Sequence, residues 1–579
     1  MKSLLFLKKY LTRYKKRLVF GVCFVFLTNA VSILAPRLLG YIIDSLKIGI
    51  SGKRLAFLSG VFLLIAIVQG VFRFLMRQLM MGLSRRIEYD LRNDFFAHLQ
   101  TLSQSYYNIT RTGDLMARAT NDLNAIRGVL GHGIMYLLNT VFLFTLAIIL
   151  MININLKLTL FSLIPFPFLV LSINRFGYLI HKRFEKIQEQ FSKISSRAQE
   201  NLSGIRLIKA YVREKSEIDE FKKLNREYVD RNKSLIKVWS LFFPGMKLLG
   251  GIAIVIVLWY GGSKVISGEI TLGEFVAFMS YLMMLVWPMV ALGWVLNIFQ
   301  RGSASMKRFK SILDVKPDIK DDNNTDYSIK NIYGEIEFRN LYFSYNDTVV
   351  LKNINLKIKK GMTLGIIGPT GSGKTTLVSL IPRLFDCKDN TLFIDGVNIK
   401  KIPLKVLRGS IGFVPQETFL FSETIKENIG YSLDQMNENM VKEAAKVSRV
   451  SKDIEEFPQK YETLLGERGI NLSGGQKQRT AISRAIIKNP KILILDDALS
   501  SVDTKTEEEI LENLKDFLKT RTCIIVSHRI STIKNSDLII VLDNGEIVER
   551  GTHSELIKKD GLYASIHKKQ LLTRELEKL

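Results

Sequence analysis

Cysteine is scarce in this 579-residue chain. Cys23, Cys387 and Cys523 stand far apart, without the spacing of a metal site or a redox pair, so no disulfide framework is implied. Acidic residues are outnumbered: 55 Asp and Glu face 82 Lys and Arg, for a net charge of +27. Proline and clustered glycine are missing from about Leu55 to Tyr107, which leaves nothing there to interrupt a helix. A small-residue cleavage site is missing after the basic, leucine-rich stretch Met1 to Arg17, and the apolar run behind it is too long for a signal peptide. Residues 1–17 read instead as an amphipathic elbow helix on the inner membrane surface, with Lys and Arg toward anionic lipid headgroups.

Long apolar runs are what the first half has in plenty. Six are long enough to cross a bilayer, which takes about 20 residues each. They lie near 18–43, 56–78, 129–152, 156–179, 240–263 and 273–298. The basic charge tracks them. Segment 182–238 carries 15 Lys or Arg and segment 77–127 carries seven Arg, whereas 153–155 has none and 264–272 has only Lys264. The positive-inside bias puts both long loops, the N-terminus and the C-terminal half in the cytoplasm of a cell whose plasma membrane holds the spans. The excess charge thus serves topology and headgroup contact, and no nucleic-acid partner is expected. Richness in Lys, Ile and Asn points to a bacterium.

The two basic loops have helical composition. Fifty helical residues would reach roughly 75 Å, far beyond a bilayer, so the spans should continue as cytoplasmic arms. The arms should turn near 108–114 and 202–214. At Lys316-Pro317 the composition changes, and KPDIKDDNNTD reads as a linker. Beyond it, strand-like runs at Thr363–Ile367, Ile411–Val414, Ile492–Leu495 and Cys523–Val526 alternate with helical segments, the pattern of an α/β domain. The expected layout is an elbow over 1–17, a membrane domain over 18–315, a linker over 316–335 and an α/β domain over 336–579.

Gly368-Pro369-Thr370-Gly371-Ser372-Gly373-Lys374-Thr375-Thr376 comes directly after an apolar strand and opens a helix, which is the context a phosphate-binding loop needs. Its glycines let backbone N–H groups close around phosphates, and the helix N-terminus adds positive dipole. Lys374 can reach the β and γ phosphates of ATP, and the Thr375 hydroxyl can bind Mg2+. Asp496 ends the run Ile492 to Leu495 and would hold Mg2+ directly or through water. Asp497 is then the candidate for orienting the attacking water.

The run GERGINLSGGQKQRTAISRA contains Leu472-Ser473-Gly474-Gly475-Gln476. It resembles the signature region of ATP-binding cassette (ABC) transporters. So do Tyr345 in FSYND, Gln416 in FVPQETFLF, Ser500-Ser501-Val502-Asp503 after Asp497, and His528 in IVSHRIST. Six spans and then one cassette resemble the ABC half-exporters of type IV architecture. The resemblance covers essentially the whole chain. It implies that Tyr345 stacks on adenine, that Gln416 senses Mg2+ and the γ-phosphate, and that His528 stabilises γ-phosphate charge. It also implies that ATP sits between the phosphate loop of one cassette and the signature of another, so a second half-exporter is the expected partner. Segments 463–469, 106–122 and 202–216 resemble the parts that couple cassette to arms.

Two positions depart from the family pattern. Glu423, in FSETI, stands where a small residue is common, and nothing in the sequence explains it. Asp497 stands where the family has glutamate. A carboxylate one methylene short is misplaced by about 1 Å, which can cost roughly 100-fold in rate. Heterodimeric ABC exporters often carry Asp here in one subunit, whose own ATP site is then nearly inactive. The other reading is a homodimer in which Asp works, or works slowly. The retained His528 counts slightly against the degenerate site.

In the spans, Arg73, Arg77, Arg175 and Lys247 fall toward the cytoplasmic ends. They either snorkel to inner headgroups or line a basic cavity for anionic amphiphiles. Tyr281, Met283, Met284, Trp287 and Met289 cluster in span six, as core packing or as an adaptable apolar pocket. The resemblance implies an ATP-driven exporter of hydrophobic or amphipathic compounds, with a lipid flippase or an ATP-gated channel as alternatives. Six spans exclude a soluble DNA-repair ATPase, spans fused to a cassette argue against an importer, and a peptide-processing exporter is not expected, since Met1 to Arg17 does not read as a peptidase-like domain.

Overall fold

The computed structural model describes residues 2–466, 469 and 471–576. Two compact units emerge: residues 1–100 with 111–315, and residues 101–110 with 316–579.

The first unit is built on six long apolar helices: α1 (Lys15–Ile48), α2 (Gly52–Thr101), α3 (Thr112–Ile154), α4 (Leu156–Ser203), α5 (Glu214–Ile266) and α6 (Leu272–Leu313). Each contains one of the six expected spans. The 50 residues of α2 and 53 of α5 extend well past a bilayer, as arms require. Core side chains Ile33, Ala147, Val257, Phe278, Tyr281 and Leu285 pack among the helices. The Tyr281 hydroxyl donates to the Ile33 carbonyl at 3.1 Å, satisfying its polar tip in an apolar setting. At one end, α1 and α6 approach so closely that a Cβ on Gly273 would stand 2.0 Å from the Gly40 carbonyl oxygen. There Asp44 accepts from the Thr271 hydroxyl (2.6 Å) and the Gly273 amide (2.7 Å), adding a carboxylate to the start of α6.

The elbow is shorter than expected. A 3₁₀ turn (Lys2–Leu7) and one short helix (Lys8–Arg13) precede α1. Buried Tyr10 donates to Asp94 at 2.6 Å, and Tyr14 and Arg13 reach Asp90 at 2.9 and 3.1 Å. One face is therefore fastened to α2, while Lys8, Lys9, Lys15 and Lys16 stay exposed.

The first arm turns earlier than expected. α2 stops at Thr101, a short helix covers Gln104–Ile109, and α3 starts at Thr112. Ser103 is the local cause: its backbone is extended, and its hydroxyl bonds Ser105 Oγ at 2.8 Å and Asp318 at 3.1 Å instead of continuing a helix. The second arm turns through Ile205–Ala210, within the expected segment.

The second unit holds two sheets. The strands are β1 (Ile336–Tyr345), β2 (Thr348–Ile358), β3 (Thr363–Ile367), β4 (Leu392–Ile394), β5 (Val397–Asn398), β6 (Ile411–Val414), β7 (Ile492–Asp496), β8 (Thr522–Val526), β9 (Leu538–Asp543) and β10 (Glu546–Gly551). An antiparallel sheet has the order β2-β1-β4-β5, and a larger sheet has the order β10-β9-β3-β8-β7-β6. In the larger sheet β9, β3, β8, β7 and β6 run parallel, and β7 and β8 are buried along their whole length, as continuous Ile, Leu and Val runs require. Residues 316–335 form no helix or strand, yet they are fixed: the Asp326 amide donates to the Lys401 carbonyl at 2.8 Å. The Tyr333, Gly334 and Glu335 amides all donate to Asp395.

Candidate functional site

Sheet register assembles the site. Ile366 of β3 pairs with Val526 of β8, Val526 pairs with Asp496 of β7, and the neighbouring Leu495 pairs with Val414 of β6. Four strands therefore end together, and the residues just past their C-terminal ends share one edge of the sheet, where parallel α/β sheets bind ligands. Those residues are Gly368 after β3, Asp497 after β7, His528 after β8 and Gln416 after β6.

The loop from Gly368 to Gly373 leads into helix α7 (Lys374–Leu380). Gly371 and Gly373 adopt φ of +84° and +96°, left-handed values that glycine reaches without strain. At Gly368 a Cβ would stand 2.0 Å from the Leu542 carbonyl oxygen, a backbone atom that cannot yield. Gly368→Ala should therefore displace the loop and abolish nucleotide binding, which a fluorescent ATP analogue would read directly.

A cavity of about 170 Å³ is lined by Thr370, Gly371, Gly373, Lys374, Thr375, Thr376, Gln416, Asp496, Asp497 and His528, with Val350 and Val526. Lys374 is 6 % exposed, and its ammonium donates to the Gly368 and Pro369 carbonyls at 2.9 and 2.7 Å. Burial holds its pKa below the usual lysine range, against the pull of Asp496 and Asp497. The Thr375 hydroxyl donates to Asp496 Oδ1 at 3.2 Å. The other oxygen, Asp496 Oδ2, and the Ser372 hydroxyl are buried and have no hydrogen-bond partner among the described residues. Unsatisfied buried oxygens are costly and point to a missing ligand. A divalent cation held by one carboxylate, one hydroxyl and substrate phosphates fits this donor set, as Mg2+ prefers.

Burial pushes the Asp496 carboxyl up to about 6, while the Thr375 hydroxyl pulls it down. A raised folded pKa favours the protonated form, so stability is highest below the unfolded value near 4 and falls as pH rises to about 6. Asp496→Asn should therefore stabilise the ligand-free protein against heat at pH 7.5 but not at pH 4. Equal melting shifts at both pH values would rule out this charge as the cause.

Asp497 sits in the left-handed region, with φ of +49°. Short Asp and Asn side chains tolerate that region best. Its amide donates to the Val526 carbonyl at 2.9 Å, so its backbone is fixed against β8. Tyr345 ends β1 and its hydroxyl reaches Thr376 Oγ1 at 3.4 Å. Its ring stands edge-on to Phe343 and Phe385 and remains half-buried, so it does not line the cavity itself.

Ser473 caps helix α8 (Gly474–Ile486) through a capping box: the Gln476 amide donates to Ser473 Oγ, and the Ser473 amide donates to Gln476 Oε1. Ser473 and Gly474 are exposed, and none of Leu472 to Gln476 lines the cavity. Gly475 packs on the loop after Asp497, where a Cβ would stand 3.0 Å from the Ser501 carbonyl oxygen.

Several residues that organise this region escape sequence reasoning. Gln478 donates to Ser500 Oγ at 3.0 Å and accepts from the Ser501 amide at 2.9 Å, tying α8 to the loop Ser500 to Asp503. Asp503 then caps helix α9 (Thr504–Leu518) through the Thr506 amide. Arg529 donates to buried Glu507 at 2.8 Å and to the Val502 and Ser500 carbonyls. On helix α10 (Leu562–Leu576), Gln570 donates to the His528 carbonyl at 2.6 Å and accepts from the Ile530 amide at 3.0 Å. Arg529 had one signal, adjacency to His528; Gln570 had none. Around Glu423, the carbonyl accepts from the Leu465 amide, which braces this loop against part of 463–469. Residues 467 and 468 of that segment lie outside the described residues.

In the first unit, span six divides. Tyr281 and Met289 are buried in the core, whereas Met283 lines a cavity and Trp287 is exposed. Among the described residues Arg73, Arg77, Arg175 and Lys247 show no ion pair to a carboxylate, and Lys247 lines a cavity.

Residues 18–289 match the family model for the ABC transporter transmembrane region, and residues 351–500 match that for the ABC transporter. The "Probable multidrug resistance ABC transporter ATP-binding/permease protein YheI" of Bacillus subtilis is 38 % identical over 571 residues, 98 % of this chain and 97 % of that protein. The "ATP-dependent lipid A-core flippase" of Syntrophus aciditrophicus is 37 % identical over 528 residues, 91 % of this chain and 88 % of that protein. A solved bacterial Atm1-family ABC exporter with ATP bound superposes with a TM-score of 0.80 at 28 % identity, covering 96 % of this chain and 99 % of that one.

Proposed function

The chain belongs to the ABC transporters, a membrane-spanning region fused to an ATP-binding cassette, and from that premise we propose that it exports hydrophobic or amphipathic compounds as one half of a heterodimer. It is an ATPase coupled to export and a multi-pass protein of the bacterial inner membrane. Asp497, lining an otherwise well-equipped phosphate pocket, is the observation that carries the heterodimer reading. Its fixed backbone leaves no slack to make up the missing methylene.

In this reading the chain's own pocket holds ATP firmly and hydrolyses it slowly. Lys374 and the loop amides of 368–376 grip the phosphates, Tyr345 supports the adenine, and His528 and Gln416 face the γ-phosphate. Thr375 and Asp496, with Gln416, would hold Mg2+, which neutralises charge developing on the phosphate oxygens. The exposed start of α8, at Ser473 and Gly474, serves the ATP of the other half, which supplies the glutamate. Boundaries at 1–17, 18–315, 316–335 and 336–579 assign elbow, membrane domain, linker and cassette, with the cassette cytoplasmic. ATP binding brings the cassettes together and swings the arms so that the cavity opens outward, and hydrolysis resets it, by rigid-body movement.

The experiment is dye efflux into inverted vesicles, with ATP turnover measured for the chain alone and with a glutamate-bearing half. Export and fast turnover only with the second half support the proposal; brisk turnover alone overturns the heterodimer. A lipid flippase is the second reading, favoured by the similarity to a lipid A-core flippase and by Lys247 on an apolar cavity. A labelled-lipid translocation assay in the same vesicles separates the two.

A further inference from the structure

The turn that carries His528 is tied to three different elements. The Ser527 amide donates to the Ile366 carbonyl at 3.1 Å, on the strand β3 that leads into the phosphate loop. The Arg529 amide donates to Ser527 Oγ at 2.9 Å, and the Arg529 guanidinium reaches the Val502 carbonyl and Glu507 of α9. Two further backbone groups of the turn, the His528 carbonyl and the Ile530 amide, share a single side chain. Gln570 of α10 donates to the carbonyl through Nε2 at 2.6 Å and accepts from the amide through Oε1 at 3.0 Å. A carboxamide presents a donor and an acceptor side by side, the complement of such a pair. The Ile530 amide opens the short helix Ile530–Ile533, and Arg529 at the cap position supplies no side-chain acceptor. First-turn amides need a partner from outside their helix, and Gln570 provides it.

The helix that carries Gln570 is itself anchored. Glu549 of β10 accepts from the Leu562 and Tyr563 amides at the start of α10. Tyr563 is fully buried in the core that holds Leu495 of β7 and Ile525 of β8, and its hydroxyl bonds His553 Nδ1 at 2.7 Å. Leu562 and Ile566 pack against the same core. Gln570 follows Tyr563 by seven residues, about two helical turns, so both lie on one face. Burying the Tyr563 end of that face therefore sets where the Gln570 end meets the His528 turn. His528 is exposed and lines the nucleotide cavity, so its aim depends on the backbone that carries it.

We infer that Gln570 is a positioning residue for His528: through it α10 aims the imidazole at the γ-phosphate and so makes the pocket prefer ATP to ADP. This rests on the reading in which His528 faces the γ-phosphate, and the test separates the two. Fluorescent ATP and ADP analogues, bound with Mg2+ to the full chain in nanodiscs, read that preference without any turnover. Gln570→Met keeps the length of the side chain and a good helix former but removes both bonds. It should lower the ratio of ATP to ADP affinity about tenfold, the worth of one hydrogen bond to a charged group. Gln570→Glu keeps the acceptor for the Ile530 amide but sets a carboxylate against the His528 carbonyl, and it should lower the ratio as well. His528→Ala sets the limit, and combining it with Gln570→Met should lower the ratio no further, because both remove one contact. If His528→Ala keeps the ratio, the γ-phosphate reading and the positioning role fall together. If His528→Ala loses it, the positioning role alone is overturned by any of three results. These are a ratio kept in Gln570→Met or Gln570→Glu, ATP and ADP affinities weakened equally, as a merely structural role would give, or a further loss in the double variant.

Discussion

Replacing Asp497 with glutamate should raise the ATP turnover of the purified chain by about 100-fold. The added methylene moves the carboxylate about 1 Å toward the phosphate end of the pocket, where Lys374, Thr375 and His528 also converge. No other element can make up that distance, because the Asp497 amide is held by the Val526 carbonyl and the strand before it is buried on both sides. Binding contacts come from the 368–376 loop and not from residue 497, so kcat should rise with KM for ATP nearly unchanged. The left-handed backbone, φ +49°, sets the cost: a longer side chain there loses about 1–2 kcal/mol relative to a relaxed conformation. A modest drop in melting temperature alongside faster turnover is thus the full expected result. Should the native chain already turn over briskly, or Asp497→Glu lower both rate and stability, Asp497 would be a backbone requirement of this loop and the degenerate-site proposal would fail.

The pocket was legible in the sequence because its chemistry is local in the chain. A strand, a glycine loop and a helix start are contiguous at Thr363–Leu380, and the strands Thr363–Ile367 and Ile411–Val414 match their expected bounds residue for residue. Six spans were legible for a similar reason, since hydropathy over about 20 residues needs no knowledge of neighbours. The hidden features depend on pairing at long range. The β1–β2–β4–β5 sheet has short or bulged strands whose alternation is broken by register shifts. The stretch 316–335 has linker composition, yet Asp395, distant in sequence, fixes three of its amides. Arg529, Gln478 and Gln570 act through side chain to backbone contacts across 23 to 42 residues, which no periodicity announces. The early arm turn at Ser103 is invisible in sequence because a serine in a helical context is ordinary; its bond to Asp318 is what decides.

Ser473→Arg should leave ATP binding by the isolated chain intact while lowering the turnover of the assembled pair by about 100-fold or more. Ser473 is exposed and lines no part of the chain's own cavity, so a bulky cation there meets nothing in the phosphate loop of the same chain. Its hydroxyl accepts from the Gln476 amide, and losing that cap should cost about 1 kcal/mol, too little to unfold a cassette whose core holds α8 through Ala481, Ile482, Ala485 and Ile486. The helix N-terminus itself is altered: it loses the short side chain that stands beside Gly474 and Gly475 at the start of α8, where backbone amides can meet an anion. If those amides serve a nucleotide on the other half, arginine fills the space where its γ-phosphate must enter, and loss of transition-state contacts lowers kcat steeply. Ser473→Thr keeps the cap and a small hydroxyl, so it should retain most turnover, which separates the role of the surface from that of the fold. Nucleotide affinity of the isolated chain is the deciding readout. Weakened binding there would mean that the signature acts on its own pocket. Unchanged turnover of the pair would mean that it grips no nucleotide at all.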